Sequence, residues 1–152
     1  RNEIEHVKTY VKIQNMRFNN NLRLISRISE DILDVKVPKL ILQPIIENSI
    51  LHGIMEKEEE KGSITVTNSV ENDNIYIYVK DDGVGIPEEK LAEISAELNK
   101  TDSIMDNNKS HGYGIINVDR RLKLKYGQEY GLSYESKINE GTIVTLKLRI
   151  LK

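Results

Sequence analysis

Three short stretches of this chain carry residue types that could do chemistry. The first is Asp81-x-Gly83-x-Gly85-Ile86, which follows the alternating apolar run Ile75-Tyr76-Ile77-Tyr78-Val79. That run is rich in β-branched and aromatic residues, so Asp81 is expected at the C-terminal end of a strand, the edge where α/β folds place ligand contacts. Glycines 83 and 85 lack a Cβ, so a flat ligand could approach the backbone closely, with Asp81 beside it as acceptor for an exocyclic amine. The second stretch is Glu47, Asn48 and His52, polar interruptions in a run that includes Ile41, Ile45 and Ile46. Buried amides and carboxylates need partners. Asn48 and His52 stand four apart and share a helix face, either at a solvated edge or as two ligand groups facing a pocket. The third is Gly112-Tyr113-Gly114-Ile115 at the start of a helical pattern, where free backbone N–H groups and the helix dipole favour an anion such as phosphate. Each stretch also has an ordinary reading: Asp-Asp-Gly makes turns, and paired glycines often open helices that bind nothing.

The elements needed to hold these residues can be laid out along the chain. Residues 3–18 place Ile4, Val7, Tyr10, Val11, Ile13 and Gln14 near helical spacing, which predicts an amphipathic helix. His6 on that helix is read as a solvated side chain. Asn19-Asn20-Asn21 breaks it, and residues 22–28 alternate as a first strand. Over residues 37–53 a helix is expected, with Pro38 in its first turn and Pro44 either bending it or marking a second start. The charge run 56–61 reads as a solvated loop. Residues 62–68 and 74–80 form a hairpin around Glu71-Asn72-Asp73, and a short helix follows over 88–98. The polar segment 99–110 is expected to be a mobile loop, placed to act as a lid. A helix then runs to a stop at Gly127, with Ile115, Val118 and Leu122 inward, and a second hairpin over 130–137 and 141–149 ends the chain.

Composition limits the possible functions. A chain of 152 residues, 38% apolar, is long enough for one domain with a real core. With 22 basic and 24 acidic side chains the net charge is −2, which gives no general pull toward nucleic acid or anionic lipid. Any bound anion needs a local site. No cysteine is present, so disulfides, thiolate zinc sites and thiol nucleophiles are excluded, in keeping with a reducing compartment. No apolar run approaches the roughly 18 residues of a membrane span. The chain opens without Met inside a charged, helix-like segment, and is expected to be a piece of a longer protein.

Asn48 in a helix, Asp81-x-Gly83-x-Gly85 after a strand, Gly112-x-Gly114 before a helix and Gly141-Thr142 in the last hairpin occur in one order. That order resembles the ATP-binding fold shared by histidine kinases, gyrase, heat-shock chaperone ATPases and mismatch-repair ATPases. Two longer stretches, Leu42-Gln43-Pro44-Ile45-Ile46-Glu47-Asn48 with His52-Gly53, and Asn117-Val118-x-x-Arg121-Leu122 ending in Tyr126-Gly127, look like sensor histidine kinases of the LytS/YesM type. The resemblance covers nearly the whole chain.

It implies an α+β two-layer sandwich of the Bergerat type: a mixed, mainly antiparallel sheet covered on one face by about three helices. Residues 1–20 would be a connector helix from a missing dimerisation and phospho-acceptor region, and residues 21–152 the ATP-binding catalytic domain. By the same resemblance Asp81 would accept the adenine amino group. Gly83, Gly85 and Ile86 would shape the floor under the base, and Thr142 would lie nearby. Asn48 would offer oxygen to Mg²⁺, with His52 on the same face, and Gly112, Tyr113, Gly114 and Ile115 would hold phosphate. Residues 99–111 would form the ATP lid.

The sequence lacks the His-Pro-type acceptor motif of the family. Leu51 stands where many relatives carry a basic or aromatic residue, and Pro44 where hydrolysing branches place a water-activating Glu. The implied activity is therefore binding of Mg·ATP and donation of its γ-phosphate to a histidine supplied elsewhere, with Glu47 as a possible polarising carboxylate. The implied partners are the protein's own dimerisation domain and a response-regulator receiver. This fragment would be monomeric within a homodimeric whole, forming the cytoplasmic part of a bacterial membrane sensor. The competing readings are a nucleotide-gated binding module without transfer, a gyrase- or chaperone-like ATPase, and a structural domain with degenerate motifs.

Overall fold

A computed structural model of the protein describes residues 1–100 and 113–150. The chain begins with helix α1 (Asn2–Arg17), whose Ile4, Val7 and Val11 recur at helical spacing and are buried. Ile13, expected inward, is 52% exposed, because only the narrower stripe meets the rest of the molecule. Asn19 and Asn20 end the helix at φ 55° and 58°, a region that asparagine tolerates better than most residues. The Asn15 side chain then starts the sheet. Its amide nitrogen donates to the Leu22 carbonyl at 2.8 Å and its oxygen accepts the Leu22 N–H at 2.9 Å, as a neighbouring strand would.

Five strands form one sheet: β1 (Leu22–Arg27), β2 (Gly62–Glu71), β3 (Asn74–Asp81), β4 (Gly131–Lys137) and β5 (Gly141–Arg149). Their spatial order is β1-β2-β3-β5-β4. The β1–β2 pair is parallel and the other three are antiparallel, so the sheet is mixed and mainly antiparallel, as expected. Both hairpin turns use asparagine at positive φ, Asn72 and Asn139.

Four helices supply the second layer: α1, α2 (Gln43–Ser49), α3 (Glu88–Leu98) and α4 (Tyr113–Tyr126). Alternation directs Ile64, Val66, Ile75, Ile77, Val79, Val144, Leu146 and Leu148 into a core shared with Ile45, Ile46, Ile50, Val118 and Leu122. The intervening residues, among them Thr65, Thr67, Tyr78 and Lys80, line a recess of about 580 Å³ on the other face.

The start of α2 departs from the sequence expectation. Residues 37–42 are not helical, Leu40 takes φ 57°, and the helix begins at Gln43 with Pro44 in its first turn. Pro44 thus marks the start, where its missing N–H costs nothing. The helix continues into a wider turn over Ile50–Ile54, where the Met55 N–H bonds back to the Ile50 carbonyl at 2.9 Å. The loop and lid expected beyond residue 100, and Gly112 with them, lie outside the described residues.

Candidate functional site

Asp81 is the last residue of β3, in register with Ile64 of β2 on one side and Thr142 of β5 on the other. Its side chain points to the helix layer and is 3% exposed. One carboxylate oxygen accepts the Gly83 N–H at 2.9 Å. The Ser49 hydroxyl and the Thr142 backbone also hydrogen-bond the carboxylate and favour its charge, but burial outweighs all three contacts and pushes its pKa up. The Tyr134 phenol is pushed up as well, by burial and by the negative charge of Asp81.

The glycines are there because backbones meet. A Cβ on Gly83 would lie 2.4 Å from the Gly53 carbonyl carbon, and one on Gly53 would lie 3.0 Å from an Asp81 carboxylate oxygen. The Val84 N–H donates to the Gly53 carbonyl at 3.1 Å, which locks the end of the wide turn onto the glycine loop. Gly85, at φ 76°, lies against the second hairpin, where a Cβ would be 2.1 Å from the Lys137 carbonyl oxygen. Ser136 ties these parts together. Its hydroxyl accepts the Ile86 N–H at 2.8 Å, donates to the Gly141 carbonyl at 2.9 Å, and meets the Thr142 hydroxyl at 2.7 Å. One proton and two lone pairs are thereby used fully.

Asn48 is half-buried on α2, one residue before Ser49. Glu47 beside it accepts the Gln43 side-chain amide at 3.0 Å, and its charge raises the pKa of Tyr10 on α1, second to burial. Glu47 is therefore turned toward the first helix. His52, in the wide turn, is exposed. At the start of α4, a Cβ on Gly114 would come 3.2 Å from the Pro44 ring, so the first turns of α2 and α4 abut. Asn48 lies about one helical turn, roughly 5–6 Å, further along α2 from that contact. The described part of α4 opens at Tyr113, and Ile115 in its first turn is buried.

The fold thus gathers Asn48, Asp81, Gly83, Gly85, Ile86, Gly114, Ile115 and Thr142 around one edge of the helix layer. Sequence reasoning missed Ser49, Tyr134 and Ser136 as contributors, and noted Gly53 only as part of a motif. Ser49 could have been found from its place beside Asn48. Tyr134 and Ser136 depend on a strand register that one strand alone does not reveal.

A buried carboxylate at a strand end, closely packed glycines beside it and an amide on the adjoining helix suit a nucleotide-binding domain. This chain belongs to the family of histidine kinase-, DNA gyrase B- and HSP90-like ATPases, which matches residues 34–152. It is 30% identical over 146 residues to the sensor protein kinase HptS of Staphylococcus aureus strain USA300, covering 96% of this chain and 27% of that protein. The chain therefore spans about a quarter of the length of the curated relatives it matches. Among solved structures, the catalytic domain of histidine kinase ThkA superposes with TM-score 0.66 at 15% identity, over 98% of this chain and 90% of that one. The blue-light activated histidine kinase EL346 of Erythrobacter litoralis gives TM-score 0.58 at 19% identity, over 93% and 41%. ThkA in complex with the response regulator protein TrrA gives 0.65 at 15%, over 99% and 40%. These likenesses establish the α+β fold.

Proposed function

We propose that this chain binds Mg·ATP and presents the γ-phosphate to a histidine carried outside residues 1–152, as the catalytic part of a LytS/YesM-type two-component sensor kinase. The observation that carries the reading is Asp81, a buried acceptor held by the Gly83 N–H at the end of β3, where Gly53, Gly83 and Gly85 let the surrounding backbones pack against it. Asp81 accepts the adenine amino group, and Thr142 with Ile86 borders the base. The N–H groups of Tyr113, Gly114 and Ile115 hold phosphate, joined by Gly112.

Among the described residues no three His, Cys, Asp or Glu side chains are grouped to hold a metal ion. Asn48 suits a cation that arrives already attached to phosphates, since a neutral amide oxygen is a hard ligand and adds no repulsion. When bound, Mg²⁺ neutralises phosphate charge. The rest is positioning, which is most of what phosphoryl transfer asks of a protein. In this reading Glu47 is the candidate for polarising an incoming imidazole, and His52, on the face of Asn48, borders the phosphates.

The proposed partners are a dimeric acceptor domain of the same protein and a response-regulator receiver. ThkA, solved with the response regulator TrrA, supports the second by analogy. The chain's likeness to named sensor protein kinases supports a place on the cytoplasmic side of a membrane sensor.

The test is the thermal shift of the chain with Mg·ATP, with Mg·GTP, and with ATP plus chelator. A ligand at 100 times its Kd should add about 2.7 kcal/mol of stability. A rise for ATP that needs Mg²⁺ supports the roles of Asp81 and Asn48. No shift at millimolar nucleotide overturns the reading. Binding without transfer to an added acceptor domain leaves a nucleotide-gated module.

A further inference from the structure

The turn that launches α2 is held from two other helices. Leu42 stands at the N-cap of α2 and has no side-chain oxygen with which to cap it. Glu3 of α1 reaches across to the turn that precedes it. One of its carboxylate oxygens accepts the Leu40 N–H at 2.6 Å, and the other accepts the N–H groups of Ile41 and Leu42 at 2.9 and 3.2 Å. Three successive N–H groups converge on one anion because Leu40 adopts φ 57°, a left-handed conformation that strains a leucine. Hydrogen bonds to a charged acceptor are roughly twice as strong as neutral ones, and three of them offset that strain. From the other side, the Arg121 guanidinium of α4 donates to the Lys39 carbonyl at 2.5 Å. Ile41 and Leu42, between these anchors, are 0% and 2% exposed, so the turn cannot drift without opening the core.

We propose that Glu3 and Arg121 are positioning residues for the nucleotide: from α1 and α4 they clamp residues 39–42 and so set where α2 holds Asn48 relative to the phosphates. The inference rests on the reading of Asn48 as the Mg²⁺ ligand. The far end of α2 is fixed independently by the contacts of Gly53 with Gly83 and Val84. Loosening the clamp therefore swings the helix about its adenine end. The Mg²⁺-dependent part of binding suffers while recognition of the base is spared.

Calorimetry on the whole chain separates the possibilities. ATP affinity is measured with Mg²⁺ and in chelator, and adenosine affinity beside it, for Glu3→Ala, Glu3→Gln, Arg121→Ala, Asn48→Ala and the double variant Glu3→Ala/Asn48→Ala. Glu3→Ala should weaken Mg·ATP about tenfold and Arg121→Ala about threefold, with adenosine nearly unchanged. Glu3→Gln, which keeps an acceptor oxygen, should fall between wild type and Glu3→Ala, and it carries the test if the alanine variant does not fold. In the Asn48→Ala background, Glu3→Ala should add little further loss, because residues coupled through one backbone shift are not additive. Wild-type Mg·ATP affinity in both Glu3 variants overturns the inference. So does an equal loss for adenosine and Mg·ATP, or full additivity with Asn48→Ala. If Asn48→Ala alone leaves Mg·ATP binding intact, the Asn48 assignment itself fails, and the clamp loses its purpose with it.

Discussion

Asp81 carries a charge that its surroundings disfavour. Burial raises its pKa from 3.8 against three hydrogen bonds that lower it, so the folded chain holds this proton to higher pH than the unfolded chain does. Its contribution to stability is therefore greatest at low pH. It falls as pH rises from the ordinary carboxylate value through the raised one, and is flat above that. Asp81→Asn removes the titration. The stability difference, wild type minus variant, should grow as the pH of a urea melt is lowered from 7 toward 4, and a difference independent of pH would contradict the burial argument. Asp81→Ala should abolish the preference for ATP over GTP in the same thermal shift assay, since the buried acceptor has no substitute. Gly53→Ala places a methyl 3.0 Å from the same carboxylate, and should weaken ATP at least tenfold with a loss of stability under about 1 kcal/mol. Asp81, Gly83 and Gly85 were legible because strand alternation ends at them. Gly53 was not, because its need for a bare Cα arises from the Asp81 carboxylate, which the fold brings against it.

Among the elements, the second hairpin has the tightest fit. Gly141 sits at φ 107°, and a Cβ there would be 2.0 Å from the Asp81 carbonyl oxygen. Gly141→Ala should cost more than about 3 kcal/mol, visible as a lowered urea midpoint, because neither backbone can retreat without breaking the β3–β5 ladder. Helix periodicity and turn residues gave most elements to within a residue or two. The start of α2 was misread for a physical reason: the non-helical turn before it is held by Glu3, far away in sequence, and no local signal announces a turn anchored by another helix. The parallel β1–β2 pair was likewise invisible, since pairing direction leaves no trace in either strand alone.

For the whole molecule, Glu3 of α1 binds the turn that leads into α2, so the first helix belongs to the same body as the site. No nucleophile is needed within the proposed reaction. Incubated alone with labelled Mg·ATP, the chain should form no stable phosphohistidine, and a helical acceptor domain added in trans should become labelled. Labelling of His6, which is exposed on α1, would contradict the assignment of the acceptor to another segment.

The pairing of Asp81 with Thr142 also has a kinetic meaning. The β2–β3 hairpin closes locally, but β5 must return from the far end of the chain to insert between β3 and β4. That is a high-contact-order step, and such steps are slow. The proposed adenine edge is then among the last parts to form during synthesis, and a chain interrupted before residue 142 should hold most of its helices yet bind no nucleotide. A nucleotide that recognises only the finished edge should slow amide exchange most strongly along β3 and β5.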